Sequence, residues 1–228
     1  MISDSAGNAA LFLYRASSNT ILNSYVQGST AAYIDGSTGT VFGGMVFVAT
    51  NTAGSALALT GGSVNLTIAT STLIAPSSGR GLALNPGNVG VVSLSSVIFT
   101  GAARGIEVST QGALFSLAVD SITFRGLSPG ATAIHFLGGT FVSTFTLADF
   151  EDAGVGANVS AAALGTNSRI TMNAYSGVRK GSVYENDPNS LVDWVGVPYP
   201  GCVVTNNVGA GQDYATILAA VTALPATL

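Results

Sequence analysis

The feature that most constrains the fold of this chain is a regular repeat, about 25 residues long, of the kind that stacked supersecondary units produce. Once in each period an apolar or aromatic residue stands just before a turn. The five positions are Ile74, Phe99, Phe124, Phe150 and Tyr175, and the successive differences between their numbers are 25, 25, 26 and 25. A constant period of this length predicts an architecture made of stacked copies of one unit.

Two further apolar ladders run with a similar but less regular period, with spacings of 23 to 28 residues. One follows the turn and contains Gly81-Leu82, Gly105-Ile106 and Ala133-Ile134, with the run Ala56–Leu59 one period earlier. The other closes the unit and contains Ile68, Leu94, Leu117, Phe145 and Met172. Each period therefore holds three short segments. Inside each segment apolar residues alternate with other residues, which predicts strands with one face directed inward.

Three strands in each turn predict a parallel β-helix, whose turns stack at the strand spacing of about 4.8 Å. Equivalent residues then lie above one another, so Phe99 and Phe124 are expected to stack inside. Burial of each such side chain contributes about 1.5 to 3 kcal/mol. A β-sandwich is the alternative for short strands joined by glycine-containing turns, but a sandwich does not require a constant period.

Composition excludes several classes of protein. Among 228 residues there are seven Lys plus Arg and eleven Asp plus Glu, and charged residues make up 8% of the chain, against about 25% in typical soluble domains. So few cations argue against nucleic-acid binding. A hydrophobic content of 47% argues against disorder, and the absence of an apolar run of about 20 residues argues against a membrane span. The single cysteine, Cys202, allows no intramolecular disulfide, and we expect no cofactor.

The repeat suggests three segments. Residues 1–45 fit the period loosely and are predicted to form an N-terminal cap or interaction segment; irregular first turns, or strands given to a neighbouring subunit, are open alternatives. The β-helix is predicted over 46–182. Residues 183–228 are rich in loop signals and contain a predicted capping helix at 212–224. The first residues lack the basic and apolar regions of a secretory signal peptide, so export by that route is not expected.

The C-terminal stretch carries a resemblance to a known family. Residues 209–224 read Gly-Ala-Gly-Gln-Asp-Tyr-Ala-Thr-Ile-Leu-Ala-Ala-Val-Thr-Ala-Leu. They resemble the Gly-x-Gly-x-Asp-Tyr-x-Thr-Ile-x-Ala-Ala-Val segment that opens pectin-lyase-like β-helix domains, including pectin methylesterases and many phage tail spikes. The resemblance implies a right-handed parallel β-helix with a helix plugging its mouth. Because that segment normally begins a β-helix, two interpretations are open: it caps this solenoid, or it opens a second one.

The same resemblance directs attention to acidic and basic residues on an outer sheet, although no catalytic motif of the family matches this sequence. The candidates for a glycan site are Asp149, Glu151, Asp152 and Arg125. Arg125 and Glu151 are one period apart and are expected to stack as an ion pair between turns. Asp149 and Glu151 would share a face, as a glycosidase pair separated by about 5 to 9.5 Å requires.

Other residues that could carry chemistry are few. His135, the only histidine, is expected to face outward as a solvated side chain with no nucleophile or carboxylate in register. Arg80, Arg104 and Arg125 recur near one turn and could form a weak anion-binding stripe, although solvated side chains are the simpler expectation. The candidate outward aromatics for stacking on sugars are Tyr33, Tyr184, Trp194 and Tyr199.

These observations favour a structural protein that is not an enzyme. The expected role is a spike, fibre or minor capsid β-solenoid of a virus or phage, located in the virion or at an extracellular surface. Its partners would be copies of itself, with a trimer as one arrangement, and other virion proteins. The alternative is a glycan-binding or polysaccharide-degrading module of the tail-spike type. A bacterial adhesin is a third hypothesis.

Overall fold

The fold is an all-β parallel solenoid, as the repeat predicts. The computed structural model describes residues 2–3, 9–109, 111, 115–128, 131–138, 142–149, 158–160, 169–172, 175–176 and 192–194. In chain order the strands are β1 (Ile2–Ser3), β2 (Ala9–Tyr14), β3 (Thr20–Leu22), β4 (Tyr25–Gly28), β5 (Thr30–Asp35), β6 (Thr38–Gly43), β7 (Val46–Ala49), β8 (Ser55–Thr60), β9 (Val64–Ala69), β10 (Thr72–Ile74), β11 (Arg80–Leu84), β12 (Val89–Ser95), β13 (Val97–Thr100), β14 (Arg104–Val108), β15 (Ser116–Arg125), β16 (Thr132–Phe136), β17 (Val142–Asp149), β18 (Asn158–Ser160), β19 (Arg169–Met172), β20 (Tyr175–Ser176) and β21 (Val192–Trp194).

Each turn of the chain contributes one strand to each of three faces. The first face runs β1-β4-β7-β10-β13, the second runs β2-β5-β8-β11-β14-β16-β18, and the third runs β3-β6-β9-β12. The long strand β15 pairs with β12 in its first half and with β13 in its second half. It therefore continues around the corner from the third face to the first. Strand β17 does the same, pairing with β19 and then with β20.

The interior is a column of stacked apolar side chains, and the prediction that Phe99 and Phe124 stack inside it is confirmed. Phe99 and Phe124 are direct partners in register. Their ring centroids lie 5.3 Å apart with planes inclined by 23°, and neither ring is exposed. The column continues on the first face through Leu73 and Phe47. The second ladder is also confirmed, because Leu57, Leu82, Ile106 and Ile134 occupy successive strands of the second face.

Ile74 and Tyr175, two members of the first ladder, were assigned wrongly. Leu73, not Ile74, pairs with Phe99. Ile74 takes the outward position that Thr100 occupies one turn later, because register partners on β10 and β13 are 26 residues apart, one more than the spacing assumed for the ladder. Tyr175 pairs with Ala148 and so does not extend the aromatic column. Phe150 lies outside the described residues.

One member of the third ladder was also wrong. Leu94 pairs with Val119, and Val119 pairs with Phe145, whereas Leu117 lies two residues earlier in the same strand. Leu117 and Val119 are both buried. Alternation places both on the inner face, so a period of two residues cannot choose between them.

Two glycines let the second face approach this column. A Cβ added to Gly81 would lie 2.5 Å from Cδ1 of Phe99 and 2.6 Å from the carbonyl oxygen of Gly105. A Cβ added to Gly105 would collide with the ring of Phe124. Only glycine allows a strand backbone to come this close to a neighbouring ring.

The first turns belong to the same stack. Strand β2 pairs with β5, which pairs with β8. The register partners Leu11 and Ala32 lie closer together along the chain than the partners Leu57 and Leu82 of a later turn. This shorter first turn explains the loose fit of residues 1–45 to the period. At the other end of the described chain, Trp194 pairs with Met172 in β19.

Other predictions concern residues outside the described ranges. Cys202 and the predicted helix at 212–224 lie there, and the segment bounds 1–45, 46–182 and 183–228 stay predictions. Within the described ranges no helix is long and apolar enough to span a membrane.

Candidate functional site: a buried carboxylate on the second face

The candidate site lies on the outer surface of the second face, where β11, β14 and β16 run side by side. In β14 the inward residues Ile106 and Val108 flank Glu107, which alternation directs outward. Glu107 is in register with His135 of β16, and Arg104 is in register with Arg80 of β11. Three neighbouring strands therefore bring four chemically active side chains together. We call these four residues the Glu107 cluster.

Both oxygens of the Glu107 carboxylate contact arginine. Nε of Arg80 lies 2.7 Å from Oε1, and Nη1 of Arg104 lies 2.7 Å from Oε2. Nδ1 of His135 is 3.8 Å from Oε2, which is too long for a hydrogen bond but close enough for electrostatic interaction. The Glu107 side chain is 8% exposed, while the arginines are 36% and 41% exposed. A buried carboxylate is thus covered by two partly exposed guanidinium groups.

The small neighbours of Glu107 make this arrangement possible. Ala58 and Ala83 precede it at the same outward position on successive strands. Both are buried, yet neither belongs to the interior core cluster. Because these side chains are small, the Arg80 side chain has room to lie against the sheet and reach Glu107 on the adjacent strand.

The surroundings of Glu107 favour its charged form. Burial alone raises the pKa of the Glu107 carboxyl, but interaction with His135 and the charges of Arg80 and Arg104 outweigh burial and bring the pKa below its ordinary value. The carboxylate is therefore ionised at neutral pH, and the arginines are always charged. Two guanidinium groups for one carboxylate leave an excess of positive charge at this place.

The cluster corrects two predictions. His135 does have a carboxylate in register, contrary to expectation, and its side chain is only 22% exposed. Arg80 and Arg104 stack as the proposed stripe requires, but they bind Glu107 and are not simply solvated. Arg125 pairs in register with Thr100, on the first face, so it is not part of that stripe.

The predicted acidic candidates are placed only in part. The backbone of Asp149 pairs with Thr123 of the preceding turn. Thr123 and Asp149 are 26 residues apart, and so are Arg125 and Glu151. The expected stacking of Arg125 on Glu151 requires a register of 26 residues, which is the register observed at Thr123. Glu151 and Asp152 lie outside the described residues, and the ion pair and the acid pair both stay predictions. In the described part of the chain, no group of three or more His, Cys, Asp or Glu side chains is arranged to hold a metal ion.

Sequence reasoning missed Glu107 although a signal was present. Glu107 and His135 occupy the same place in the repeat, in Ile-Glu-Val and Ile-His-Phe. Arg80 and Arg104 each precede the glycine that opens this segment. Once the turns are assumed to stack, the carboxylate lies beside the imidazole and the two arginines lie beside each other. This pattern indicates a charge cluster.

A second surface feature lies on the first turns of the second face. Phe12 and Tyr14 of β2 are 56% and 53% exposed. The Phe12 ring centroid is 6.0 Å from that of Tyr14 and 5.7 Å from that of Tyr33 on the next strand. The Arg15 guanidinium carbon lies 5.0 Å from the Tyr14 centroid. We call Phe12, Tyr14 and Tyr33 the aromatic patch.

Only Tyr33 of the aromatic patch was among the predicted outward aromatics. Tyr184 and Tyr199 lie outside the described residues, and only the backbone of Trp194 is described.

The third face carries an open groove of about 320 Å³ across β12, β15 and β17. Its outward lining includes Ser93, Ser95, Thr144 and the carboxylate of Asp120. The Ser95 hydroxyl donates a 3.3 Å hydrogen bond to Oδ2 of Asp120, and Asp120 is exposed.

Comparison with protein-family models, with curated proteins and with solved structures finds no match to this chain. The parallel solenoid is therefore established by its strand pairing alone.

Proposed function

We propose that this chain is a rigid structural element of a virus or phage particle, a spike, fibre or minor capsid solenoid of the pectin-lyase-like type. It acts in assembly or attachment, in the virion or at an extracellular surface, and catalyses no reaction. The observation that carries the proposal is the continuous internal column of apolar side chains. Val26, Phe47, Leu73, Phe99 and Phe124 follow one another in register, and all are fully buried.

This column supports a mechanical role because it couples the turns to one another. Each turn is hydrogen-bonded to the next on three faces. A slip of one residue on any face would move its buried side chains outward. Since burial of each large side chain contributes about 1.5 to 3 kcal/mol, bending or sliding is opposed at every turn.

The outer surface supports assembly. The outward positions of the first face are mainly β-branched, uncharged and partly exposed; they include Val46, Val48, Thr72, Ile74, Ile98, Thr100 and Thr123. Flat surfaces with little charge suit burial against copies of the chain or against other particle proteins, since charged residues are depleted at the centres of such interfaces.

The direct test is to locate the chain. Antibodies raised against the recombinant protein should label purified particles in immunogold electron microscopy, and mass spectrometry of those particles should detect the chain at levels comparable to other structural proteins. A non-structural protein of the same source, probed in parallel, controls for carry-over. If the chain is abundant in the producing cells but absent from purified particles, the proposal is wrong.

A glycan-binding or polysaccharide-degrading module is the second candidate, and the aromatic patch favours it. Exposed aromatic rings provide flat apolar surfaces beside polar groups, which suit stacking against sugar rings. The double variant Phe12→Ala/Tyr14→Ala should lose co-sedimentation with surface polysaccharide of the host. Leu22→Ala removes another large exposed side chain, 54% exposed on β3, and should retain binding. Equal binding by all three proteins would count against this candidate.

The degrading form of the second candidate has its own test. Polysaccharide turnover that is present in the wild type and lost in Asp149→Ala or Glu151→Ala would support a glycosidase pair. Turnover that survives both substitutions would exclude these residues as the pair.

A further inference from the structure

The described surface of the solenoid carries two excess charges of opposite sign, a positive one at the Glu107 cluster and a negative one at Asp120. The Glu107 cluster has one carboxylate for two guanidinium groups, and in the described ranges no second carboxylate lies within ion-pair distance of Arg80 or Arg104. Asp120 is exposed and interacts with the Ser95 hydroxyl. Among the residues that the structure describes, no cation lies within ion-pair distance of Asp120.

These two charges lie on one turn of the solenoid, so their heights along its axis agree to within about one strand spacing. Arg104 belongs to β14, and Asp120 ends the first half of β15, which is the next strand of the same turn. Strand β14 lies between β11 and β16 on the second face, and this half of β15 lies between β12 and β17 on the third. One turn therefore presents a positive charge on one face and a negative charge on the next.

We propose that copies of this chain pack side by side with parallel axes, so that Arg104 on the second face of one copy meets Asp120 on the third face of its neighbour. The inference rests on the assembly role proposed above and assigns its contact. In a closed ring whose symmetry axis runs parallel to the solenoids, neighbouring copies are not shifted along that axis. Contacts then join residues at equal height, and Arg104 and Asp120 meet this condition to within about one strand spacing.

The chemistry of the two surfaces matches. Arg104 contacts Glu107 through Nη1, and a guanidinium group has five N–H donors, so further donors are available to a neighbour. The contact with Glu107 orients this guanidinium group. The groove beside Asp120 offers the carboxylate and the hydroxyls of Ser93, Ser95 and Thr144 as acceptors. Every copy carries both surfaces, so the contact can repeat around a ring.

An exposed ion pair of this kind chiefly fixes orientation and register, while the flat faces around it supply most of the buried area. Reversing one charge places like charges together and opposes the contact. We therefore expect Asp120→Lys to raise the dissociation constant (Kd) for self-association, measured by sedimentation equilibrium, by about tenfold or more. Asp35→Lys makes the same charge change on the second face, at the end of β5 and three strands away from β14, and should raise Kd much less than Asp120→Lys does.

Mixing two variants gives the sharper test. Asp120→Lys and Arg104→Glu should each associate poorly alone, because each brings like charges together. In an equal mixture, the new lysine of one variant meets the new glutamate of the other, and the second kind of mixed contact joins the native Arg104 and Asp120. Both kinds of mixed contact are therefore compatible, and association between unlike variants is the readout, because a closed ring with an odd number of copies would keep one like-charge contact. Association should then return. Circular dichroism melting of each variant checks folding, and Arg104→Gln replaces Arg104→Glu if the latter unfolds, with weakened association as its expected result.

The outcomes separate this contact from the proposed function. If Asp120→Lys associates with the same Kd as wild type, or if the two variants do not associate in the mixture, the proposed contact is wrong. Neither result contradicts the particle role. A wild-type chain that stays monomeric at all concentrations overturns both the contact and the assembly of copies. Presence in the particle is still decided separately by immunogold labelling.

Discussion

The rings of Phe99 and Phe124 lie one above the other inside the solenoid, with centroids 5.3 Å apart. Their strands β13 and β15 are hydrogen-bonded neighbours with Phe99 and Phe124 as direct register partners, so the distance between the rings follows from the spacing of the strands. Ladders of this kind supply the apolar burial that a globular protein gains from a single compact core.

Phe99→Ala is expected to lower the free energy of unfolding by about 3 to 5 kcal/mol, because it removes a fully buried ring and leaves a cavity between two turns. Ile98→Ala truncates the neighbouring outward side chain and should cost clearly less. Urea unfolding followed by circular dichroism measures both. Equal losses would mean that the two side chains are equally buried, against the observed alternation.

Gly81→Ala is expected to destabilise the protein by about 1 to 3 kcal/mol, because the added methyl group would overlap the Phe99 ring and the Gly105 carbonyl oxygen. Combining it with Phe99→Leu removes the ring from that space. The double variant should therefore lose less stability than the sum of the two single variants, a coupling that a double-mutant cycle measures. Strict additivity would show that the ring does not restrict the glycine.

Stability should depend on pH through Glu107. Its folded pKa lies below the ordinary value of 4.5, so in the window between the two values the unfolded state binds more protons than the folded state. The contribution is complete above the unfolded pKa and is lost as pH falls through the folded pKa. Urea unfolding of wild type between pH 7 and pH 3 should show this loss.

Glu107→Gln is the matched variant for this pH dependence. The part of the slope that Glu107 causes should disappear, and stability at pH 7 should fall by about 1 to 3 kcal/mol, because the arginines lose their charged partner. If wild type and variant show the same slope, the carboxylate does not titrate differently in the folded state.

Much of this fold was readable from the repeat. A nearly constant period with three alternating segments in each turn predicts a parallel stack, and the position of Leu82 over Ile106 follows directly. The failures have two physical origins: the number of residues between register partners varies from turn to turn, and alternation, with its period of two residues, does not show which of two inward residues pairs. Ile74 was misplaced by one residue for the first reason, and Leu117 by two residues for the second.

The Glu107 cluster was not predicted because outward was equated with solvated. Alternation correctly directs Glu107 and His135 outward, yet Arg80 reaches across from the preceding strand and covers the carboxylate. Whether an outward side chain is exposed depends on the length of its neighbours on adjacent strands. In this ladder the short neighbours Ala58 and Ala83 leave the space that a long arginine fills.

A coupled pair of substitutions checks the corrected register. Leu73→Ala should lower the free energy of unfolding by about 2 to 5 kcal/mol, because Leu73 is fully buried beside Phe99. Ile74→Thr copies the residue found at the same outward position one turn later, Thr100. It should change stability by no more than about 0.5 kcal/mol.

Urea unfolding distinguishes the observed register, with Leu73 inside, from the register predicted by the ladder, with Ile74 inside. If Ile74 were inside, Ile74→Thr would cost more stability than Leu73→Ala. A large loss from Ile74→Thr together with a small loss from Leu73→Ala would mean that β10 is shifted by one residue. Because such a shift exchanges every inward and outward side chain of a strand, it would place Ile74 between Phe47 and Phe99 and would also turn Thr72 inward.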